Sequence, residues 1–295
     1  MEGGAVSANV LFDIPGPRAR ARNRLLGVAG SLLVAAILGY VIYRFYETGQ
    51  FDGQKWSILE YKNPQQRLVD GFIATLKAAG VAAVLAVALG AVLAAGRLSD
   101  HRVFRAPSFV FVELFRAIPL LLLMFAFYYG APALGFRTTP FMAVVLGLML
   151  YNGAVLAELF RAGVDSVPRG QSEAAYALGM GKTQVMVSVL LPQAIRAMLP
   201  AIISQLVVLL KDTALGFLVT YEELLDAVKD LSGAQEFAFP LIPLALVGGG
   251  IYVATCMLLS WFANWLEKRL GRTKKTSAPM LHADPGAAMG QGGTV

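Results

Sequence analysis

Cysteine and charged residues are scarce in this sequence. The 295 residues include one cysteine, Cys256, so neither a disulfide nor a cysteine metal cluster can form within one chain. Charged residues make up only 15% of the chain, whereas hydrophobic residues make up 57% and occur in long blocks. This balance excludes a soluble domain with a large core and indicates a chain that spans a membrane.

Apolar blocks of membrane-crossing length divide the chain. Each is near or above the ~20 residues that a helix rising 1.5 Å per residue needs to cross a ~30 Å hydrocarbon core. Strands of a barrel would instead alternate in segments of about ten residues. The sequence therefore predicts an all-α, polytopic integral membrane protein with about six transmembrane helices. The blocks are residues 25–43, 78–96, 117–136, 138–157, 189–218 and 237–266.

Lysine and arginine residues are concentrated in alternate segments between these blocks. The basic segments precede the first block, follow the second and the fourth, and follow the last. With six spans, all four lie on one side of the membrane, which the positive-inside bias makes cytoplasmic. Both chain ends are therefore predicted to be cytoplasmic. The loop at 219–236, on the other side, is mostly acidic.

The first block could instead be a signal peptide, since basic residues precede it. Its 19 residues exceed a usual signal core, and Arg44 to Glu47 follow it in place of a small-residue cleavage site. These features favour an uncleaved membrane anchor.

A polar, helix-forming interruption separates the fourth and fifth blocks. Residues 172–178 have high helix propensity, and Ser172 is expected to cap the helix start. Gly179 permits a turn that a side chain would hinder, and Pro192 restricts the helix that follows. We expect a short helix, a bend and a return into the membrane. The residues that this helix is expected to expose to the cytoplasm are Glu173, Ala174, Ala175 and Ala177.

Two other interpretations of this interruption fit less well. A helix lying on lipid headgroups would have a face rich in Lys and Arg and large apolar side chains, which this one lacks, so docking to a protein is favoured. Gly181, Lys182 and Thr183 look like the end of a phosphate-binding loop, but that pattern requires glycine where Tyr176 stands. The chain is therefore expected to have no nucleotide site of its own.

Two acid–arginine pairs lie near the apolar blocks. Glu113 and Arg116 are three residues apart, as are Glu158 and Arg161, and this spacing places each pair on one helix face. For Glu158 and Arg161 we favour a structural charge pair. Arg116 lies near Pro119, which disrupts helical hydrogen bonding, so a place in the substrate pathway and a structural role are both open there.

Lys211 and Asp212 are ionisable residues deep in the fifth block. Lys211 is fifteen residues beyond Arg196, about 22 Å along a helix. Charges in a bilayer are costly and tend to face partners or polar cavities. Lys211, Asp212 and the adjacent Thr213 are therefore candidate pathway residues, with Lys211 able to meet a substrate carboxylate. A lysine–acid bond between helices is the structural alternative.

The interruption resembles the EAA loop of ABC importer permeases, the coupling helix that sits in a cleft of the ATPase subunit. Val189 stands where that loop usually has isoleucine. Flanking residues resemble the polar amino acid permeases, although Ala117 and Ala214 depart from the usual glycine and small polar residue. The resemblance covers about residues 70–269. In outline, the chain is similar to actinobacterial glutamate-type permeases. The residues to which it assigns ATPase coupling are Gly170, Gln171, Glu173, Ala174, Ala175, Gly179, Leu191 and Pro192.

The resemblance implies a type I ABC importer permease fold and a non-enzymatic role in importing polar amino acids, with glutamate or a related acidic amino acid as the first expectation. It implies ATPase subunits, a second permease subunit, an extracytoplasmic binding protein and the bilayer as partners, and no nucleic acid. No cofactor or metal would bind this chain; ATP and magnesium would bind the ATPase. An ion-coupled secondary transporter that uses Lys211 and Asp212, or a non-transporting scaffold, is the alternative.

These predictions divide the chain into four parts. They are a basic segment at 1–24, an extra first helix and outer loop at 25–67, a five-helix permease core at 68–270 with the coupling loop at 161–192, and a disordered tail at 271–295.

Overall fold

The computed structural model describes residues 16–270, and all regular structure among them is helical, which confirms the all-α prediction. Residues 1–15 and the predicted tail at 271–295 lie outside the described residues. The α-helices are α1 Pro17–Glu47, α2 Gly53–Trp56, α3 Lys62–Arg97, α4 Arg102–Ala117, α5 Leu120–Phe125, α6 Ala131–Ala133, α7 Pro140–Asp165, α8 Arg169–Ala177, α9 Lys182–Gln184, α10 Leu191–Asp212, α11 Leu224–Ser232 and α12 Leu241–Leu270. Turns of 3-10 helix occupy Ser57–Glu60, Thr213–Val219 and Gln235–Phe237, and π-helical turns occupy Ala126–Gly130 and Val185–Leu190.

Five helical segments among the described residues are long and apolar enough to cross a membrane, and a bent pair raises the number to six. This agrees with the prediction of about six spans. The five segments are Pro17–Glu47, Lys62–Arg97, Pro140–Asp165, Lys182–Val219 and Leu241–Phe262.

The bent pair corrects the predicted third span, which was wrong as one unbroken helix over residues 117–136. Arg102–Ala117 and Leu120–Ala133 meet at an angle of 100°, with the break at Ile118 and Pro119. Pro119 has no amide hydrogen, and both residues have extended backbone angles, so the helix cannot continue through them. The apolar block therefore begins at the end of one helix and continues in another.

The chain forms two compact units. The first contains the described residues up to Ala74 together with Glu222–Gly250. Within it, α1 buries no side chain. The start of α3 packs closely on α11, because a Cβ atom added at Gly71 would lie 3.0 Å from that of Ala227. Arg67 reinforces this contact with Nη1 3.0 Å from a Glu222 oxygen and Nη2 3.2 Å from an Asp226 oxygen.

The second unit contains Thr75–Tyr221 and the chain from Ile251 onward. Its central helix is α7, which contacts α4, α5 and α10. Thr139 caps α7 by accepting a hydrogen bond from the Met142 amide, and Pro140 fills the first helical position. A Cβ atom added at Gly163 would lie 2.7 Å from the Met198 sulfur, so this glycine lets α7 and α10 approach closely.

Candidate coupling and transport site

The predicted cytoplasmic helix exists as α8, nine residues long. It begins at Arg169 after Pro168, three residues earlier than the expected start at Ser172. The prediction that Ser172 caps the helix was wrong, because its hydroxyl lies inside the first turn and donates to the Arg169 carbonyl at 2.8 Å. Pro168 fixes the entry of the chain instead, with φ −54° and ψ 131°.

Gly179 ends α8 in a left-handed turn with φ +79°. The Met180 amide donates to the Ala175 carbonyl at 3.2 Å, and the Gly179 amide donates to the Tyr176 carbonyl at 2.9 Å. These two bonds form a Schellman motif, which satisfies carbonyls that the helix end would leave unpaired. The turn that the sequence predicted at Gly179 is therefore present, and a glycine takes up this backbone conformation without steric cost.

The two faces of α8 have different surroundings. Glu173, Ala174 and Ala177 are exposed, and the Glu173 side chain has no hydrogen-bond or ion-pair partner among the side chains that the structure describes. Ala175 is only 5% exposed, so the expectation that it belongs to the exposed face was wrong. A nine-residue helix turns 100° per residue, and one position in each turn faces the rest of the chain. Gly170, Gln171, Leu191 and Pro192 are exposed.

Two polar contacts attach the coupling segment to the rest of the second unit. Lys182 forms a salt bridge with Asp100, in the turn between α3 and α4. Its ammonium donates a hydrogen bond that lowers the pKa of the Asp100 carboxyl below the usual 3.8. Gln193, on α10, donates to the Val189 carbonyl at 2.8 Å and lies 3.4 Å from the Gln171 side-chain oxygen.

A cavity of about 680 Å³ lies beside this attachment. Its walls are mostly apolar, and they come from the end of α3, from α7, and from the segment running from Lys182 into α10. The predicted pathway residues Arg116, Lys211 and Asp212 do not line it. This cavity therefore adjoins the coupling segment and not the predicted substrate residues.

A network of charged side chains crosses the ends of α3, α4 and α7. Arg161 Nε lies 3.2 Å from both Glu158 carboxylate oxygens and also pairs with Asp165. Arg97, only 10% exposed, lies 2.9 Å from Glu158 and 3.4 Å from Glu113. Sequence reasoning found the pair on α7 but missed Arg97, because that arginine lies on another helix and no spacing rule connects them.

Asn152 and Gln205 form a second polar contact that sequence reasoning missed. Asn152 on α7 is fully buried, and its amide nitrogen donates to the Leu148 carbonyl at 3.0 Å. The Gln205 amide on α10 donates to Asn152 Oδ1 at 2.8 Å. In the sequence, each of these residues is an uncharged amide inside an apolar block. This signal does not show that the two side chains face each other. The contact links the two most extensively packed helices of this unit.

Arg116 and Pro119 lie on either side of the break between α4 and α5. Both are exposed, and Arg116 lies 3.6 Å from Glu113. The segment that follows Pro119, Leu120–Phe125, contacts the 3-10 turn Thr213–Val219. The structure therefore brings the segment that follows Arg116 and Pro119 into contact with the segment that follows Lys211 and Asp212.

Lys211 and Asp212 end α10, and Thr213 begins the 3-10 turn. Lys211 is exposed, Asp212 is partly buried, and buried Thr213 donates to the Leu210 carbonyl at 2.7 Å. Neither Lys211 nor Asp212 forms a salt bridge with any residue in the described part of the chain. Among the side chains that the structure describes, the lysine–acid bond between helices that the structural alternative requires is therefore not made.

Long apolar helices joined by shorter segments, one of them the exposed helix α8, define a multi-pass membrane protein. The chain belongs to the family described as the binding-protein-dependent transport system inner membrane component, which it matches over residues 86–272. It is thus a permease subunit of an ABC amino acid transporter. Such permeases are not enzymes and bind no cofactor themselves. They work with separate ATPase subunits, a partner permease and a substrate-binding protein.

Individual relatives support this assignment. The chain is 38% identical to the glutamate transport system permease protein GluD of Corynebacterium glutamicum over 247 residues, which cover 80% of this chain and 88% of that one. It is 33% identical to the probable glutamine ABC transporter permease protein GlnP of Bacillus subtilis, covering 68% and 93%. Among solved structures, the crystal structure of an amino acid ABC transporter with histidines has a TM-score of 0.66 and 27% identity, covering 70% and 94%.

The type I importer permease fold expected from the resemblance is confirmed by these matches. An ion-coupled carrier and a scaffold, the alternatives raised from the sequence, do not fit membership of this family. The protein is a multi-pass component of the plasma membrane.

Proposed function

We propose that this permease imports glutamate or a related acidic amino acid. The observation that carries the proposal is the similarity to a glutamate permease over 80% of the chain. An exposed cationic Lys211 without a salt-bridge partner in the described chain suits an anionic substrate. The relative named for glutamine makes a neutral side chain the competing possibility.

Substrate identity is best tested on the complete transporter in proteoliposomes. The complex would be reconstituted with its own binding protein, and ATP hydrolysis would be measured with glutamate, aspartate, glutamine or arginine. We expect stimulation by glutamate or aspartate. Stimulation by glutamine or arginine alone would overturn the acidic substrate while leaving the permease assignment intact.

Lys211 is the proposed cation of the substrate pathway, with Asp212, Thr213, Arg116 and Pro119 around the same route. Replacing Lys211 with methionine would remove the charge and keep the length, so we expect glutamate uptake to fall while ATPase binding persists. Lys77, the matched control, is an exposed lysine of α3 whose ammonium lies over the Phe141 ring at 5.2 Å. Equal losses in Lys211→Met and Lys77→Met would argue against a specific role for Lys211.

Helix α8 is the proposed contact with the ATPase, with Gly170, Gln171, Glu173, Ala174, Gly179, Leu191 and Pro192 at or beside the docking surface. ATP and magnesium would bind on the ATPase subunits, and their closure would move α8. Support comes from the exposure of Glu173 and from the attachment of this segment to α3 and α10 through Lys182 and Gln193. Ala175 contributes by holding α8 against its own chain.

Both chain ends are proposed to be cytoplasmic. The basic turns at 97–105 and 161–182 can lie on one side only if Leu120–Ala133 crosses the membrane between them. Fourteen helical residues rise about 21 Å, which covers most of a ~30 Å core if Pro119 lies below the surface. Protease protection of tags at the two ends would test this arrangement. The division into residues 1–24, 25–67, 68–270 and 271–295 remains part of the same proposal.

A further inference from the structure

The turn between α3 and α4 forms a pocket of about 400 Å³ that is rich in arginine. Four guanidinium groups line it, together with an aromatic ring and small apolar side chains. The lining residues are Arg97, Arg102, Arg105, Arg161, Phe109 and Val110, with Ala106 at the base.

The position of α4 creates this pocket. A Cβ atom added at Gly96 would lie 2.1 Å from the Ser108 hydroxyl, so glycine allows α3 and α4 to meet at this point. The close approach also stacks the Arg97 guanidinium over the Phe109 ring at 5.1 Å. As a result, the first turns of α4 lie beside the end of a membrane-spanning helix.

The charges around the pocket do not balance. Each nearby carboxylate has a basic partner: Glu158 pairs with Arg97 and Arg161, Glu113 with Arg97 and Arg116, Asp165 with Arg161, and Asp100 with Lys182. The Arg102 and Arg105 side chains are exposed and form no salt bridge or hydrogen bond with any residue that the structure describes. Two positive charges are therefore left over, and both line the pocket.

An apolar surface lies next to these two charges. Val103, Val110 and Leu114 are 78%, 62% and 53% exposed and form one stripe along α4. Helix α4 is strongly amphipathic and meets the following helix at 100°, so it can lie along the membrane interface while the following helix enters the bilayer. A ligand at this location would meet guanidinium groups and apolar side chains together.

We propose that this pocket binds the headgroup of an anionic phospholipid, with its acyl chains along the Val103, Val110 and Leu114 stripe. A phosphodiester matches the forked donors of Arg102 and Arg105. Basic pockets beside transmembrane helices on the cytoplasmic side bind such headgroups. A soluble phosphate would use the same arginines but would leave the apolar stripe uncovered, and this difference favours the lipid.

Lipid retention by the purified transporter tests the proposal. The complete complex would be exchanged into vesicles of phosphatidylcholine with or without phosphatidylglycerol, and bound lipid would be counted by native mass spectrometry. The variant Arg102→Gln/Arg105→Gln should bind phosphatidylglycerol roughly 25-fold more weakly, about fivefold for each charge lost. Arg102→Lys/Arg105→Lys should restore only part of the binding, because it keeps both charges but lacks the forked donors.

A matched control removes the same charge elsewhere. Arg22→Gln/Arg24→Gln changes two exposed arginines at the start of α1, on the same proposed side of the membrane. Equal loss of phosphatidylglycerol in the two double variants would mean that the lipid is attracted to positive charge anywhere on this side of the protein. That result would overturn the proposal of a specific pocket. Since the Arg102 and Arg105 side chains form no salt bridge or hydrogen bond with any described residue, their replacement should change the thermal stability of the permease little.

Two further results would also overturn the proposal. If inorganic phosphate, titrated into the lipid-stripped complex, reproduces the arginine dependence while no phosphatidylglycerol is retained, the ligand is soluble. The second such result is a pocket variant that releases the ATPase while it retains phosphatidylglycerol at the wild-type level. The two arginines would then serve protein docking.

Discussion

Gln205 donates a hydrogen bond of 2.8 Å to Asn152 across the α7–α10 contact, in a buried part of the second unit. Such interhelical bonds in membranes contribute about 0.6 kcal/mol on average and up to ~1.7 kcal/mol. We expect Gln205→Leu to lower stability by about this amount and to leave the Asn152 oxygen unpaired. A double-mutant cycle with Asn152→Ala, measured by unfolding in detergent, would isolate the coupling energy. A coupling energy near zero would contradict the prediction.

Ala174 and Ala175 are neighbours on α8, but Ala174 is exposed and Ala175 is buried. Leucine at buried Ala175 would be too large for the space around that side chain and should lower the free energy of unfolding by about 1–3 kcal/mol. Leucine at exposed Ala174 should leave the permease as stable as the wild type but weaken binding of the ATPase. Thermal unfolding of the permease and co-purification of the ATPase separate the two effects. If Ala174→Leu keeps full ATPase binding and uptake, the exposed face of α8 is not the docking surface.

Gly179 and Gly181 provide a matched pair of glycines around the bend. Gly179 has φ +79°, whereas Gly181 has φ −71° and would bring an added Cβ no closer than 3.9 Å to another atom. Alanine at Gly179 should lower the free energy of unfolding by about 1–2 kcal/mol, because alanine is strained in this left-handed turn. It should also reduce transport-coupled ATP hydrolysis. Alanine at Gly181 should have little effect on either. Similar hydrolysis in the two variants would show that the turn geometry does not matter for coupling.

The Asp100–Lys182 salt bridge makes the attachment of the coupling segment dependent on pH. Because Lys182 lowers the pKa of Asp100, the contact stabilises the folded protein above the usual value of 3.8, and this stabilisation is lost as the pH falls through the lower folded-state pKa. Carbon-13 NMR of the Asp100 carboxyl should show it titrating below 3.8 in the wild type.

The same measurement on two variants identifies the cause. Lys182→Met should raise the pKa of Asp100 toward its usual value, since Lys182 is the largest influence. Arg105→Met should raise it less, because Arg105 acts only through weaker Coulomb attraction. An unchanged pKa in Lys182→Met would exclude the salt bridge in solution.

The number of spans and the existence of α8 could be predicted from sequence because both depend on local composition. A block of ~20 apolar residues and a run of helix formers ending at Gly179 carry their own signal. The break at Ile118 and Pro119 was seen as a disturbance near a proline, but not as the end of one helix and the start of another. A hydropathy block shows which residues avoid water and does not show in which direction the helix runs.

The contacts between helices could not be predicted in the same way. Arg97 pairs with Glu158, and Gln205 with Asn152, across sequence separations that no helix spacing relates. The burial of Ala175 follows from how α8 rests on the turn Val185–Leu190 and not from its own composition. These features depend on which faces of two helices meet.

The absence of any buried side chain on α1 has a consequence for assembly. None of its side chains is held in a packed core of the described chain, so the bilayer and other subunits can influence how it is oriented. Its high hydrophobicity is enough for it to insert as a span on its own. Its apolar side chains are therefore available as a contact surface when subunits come together.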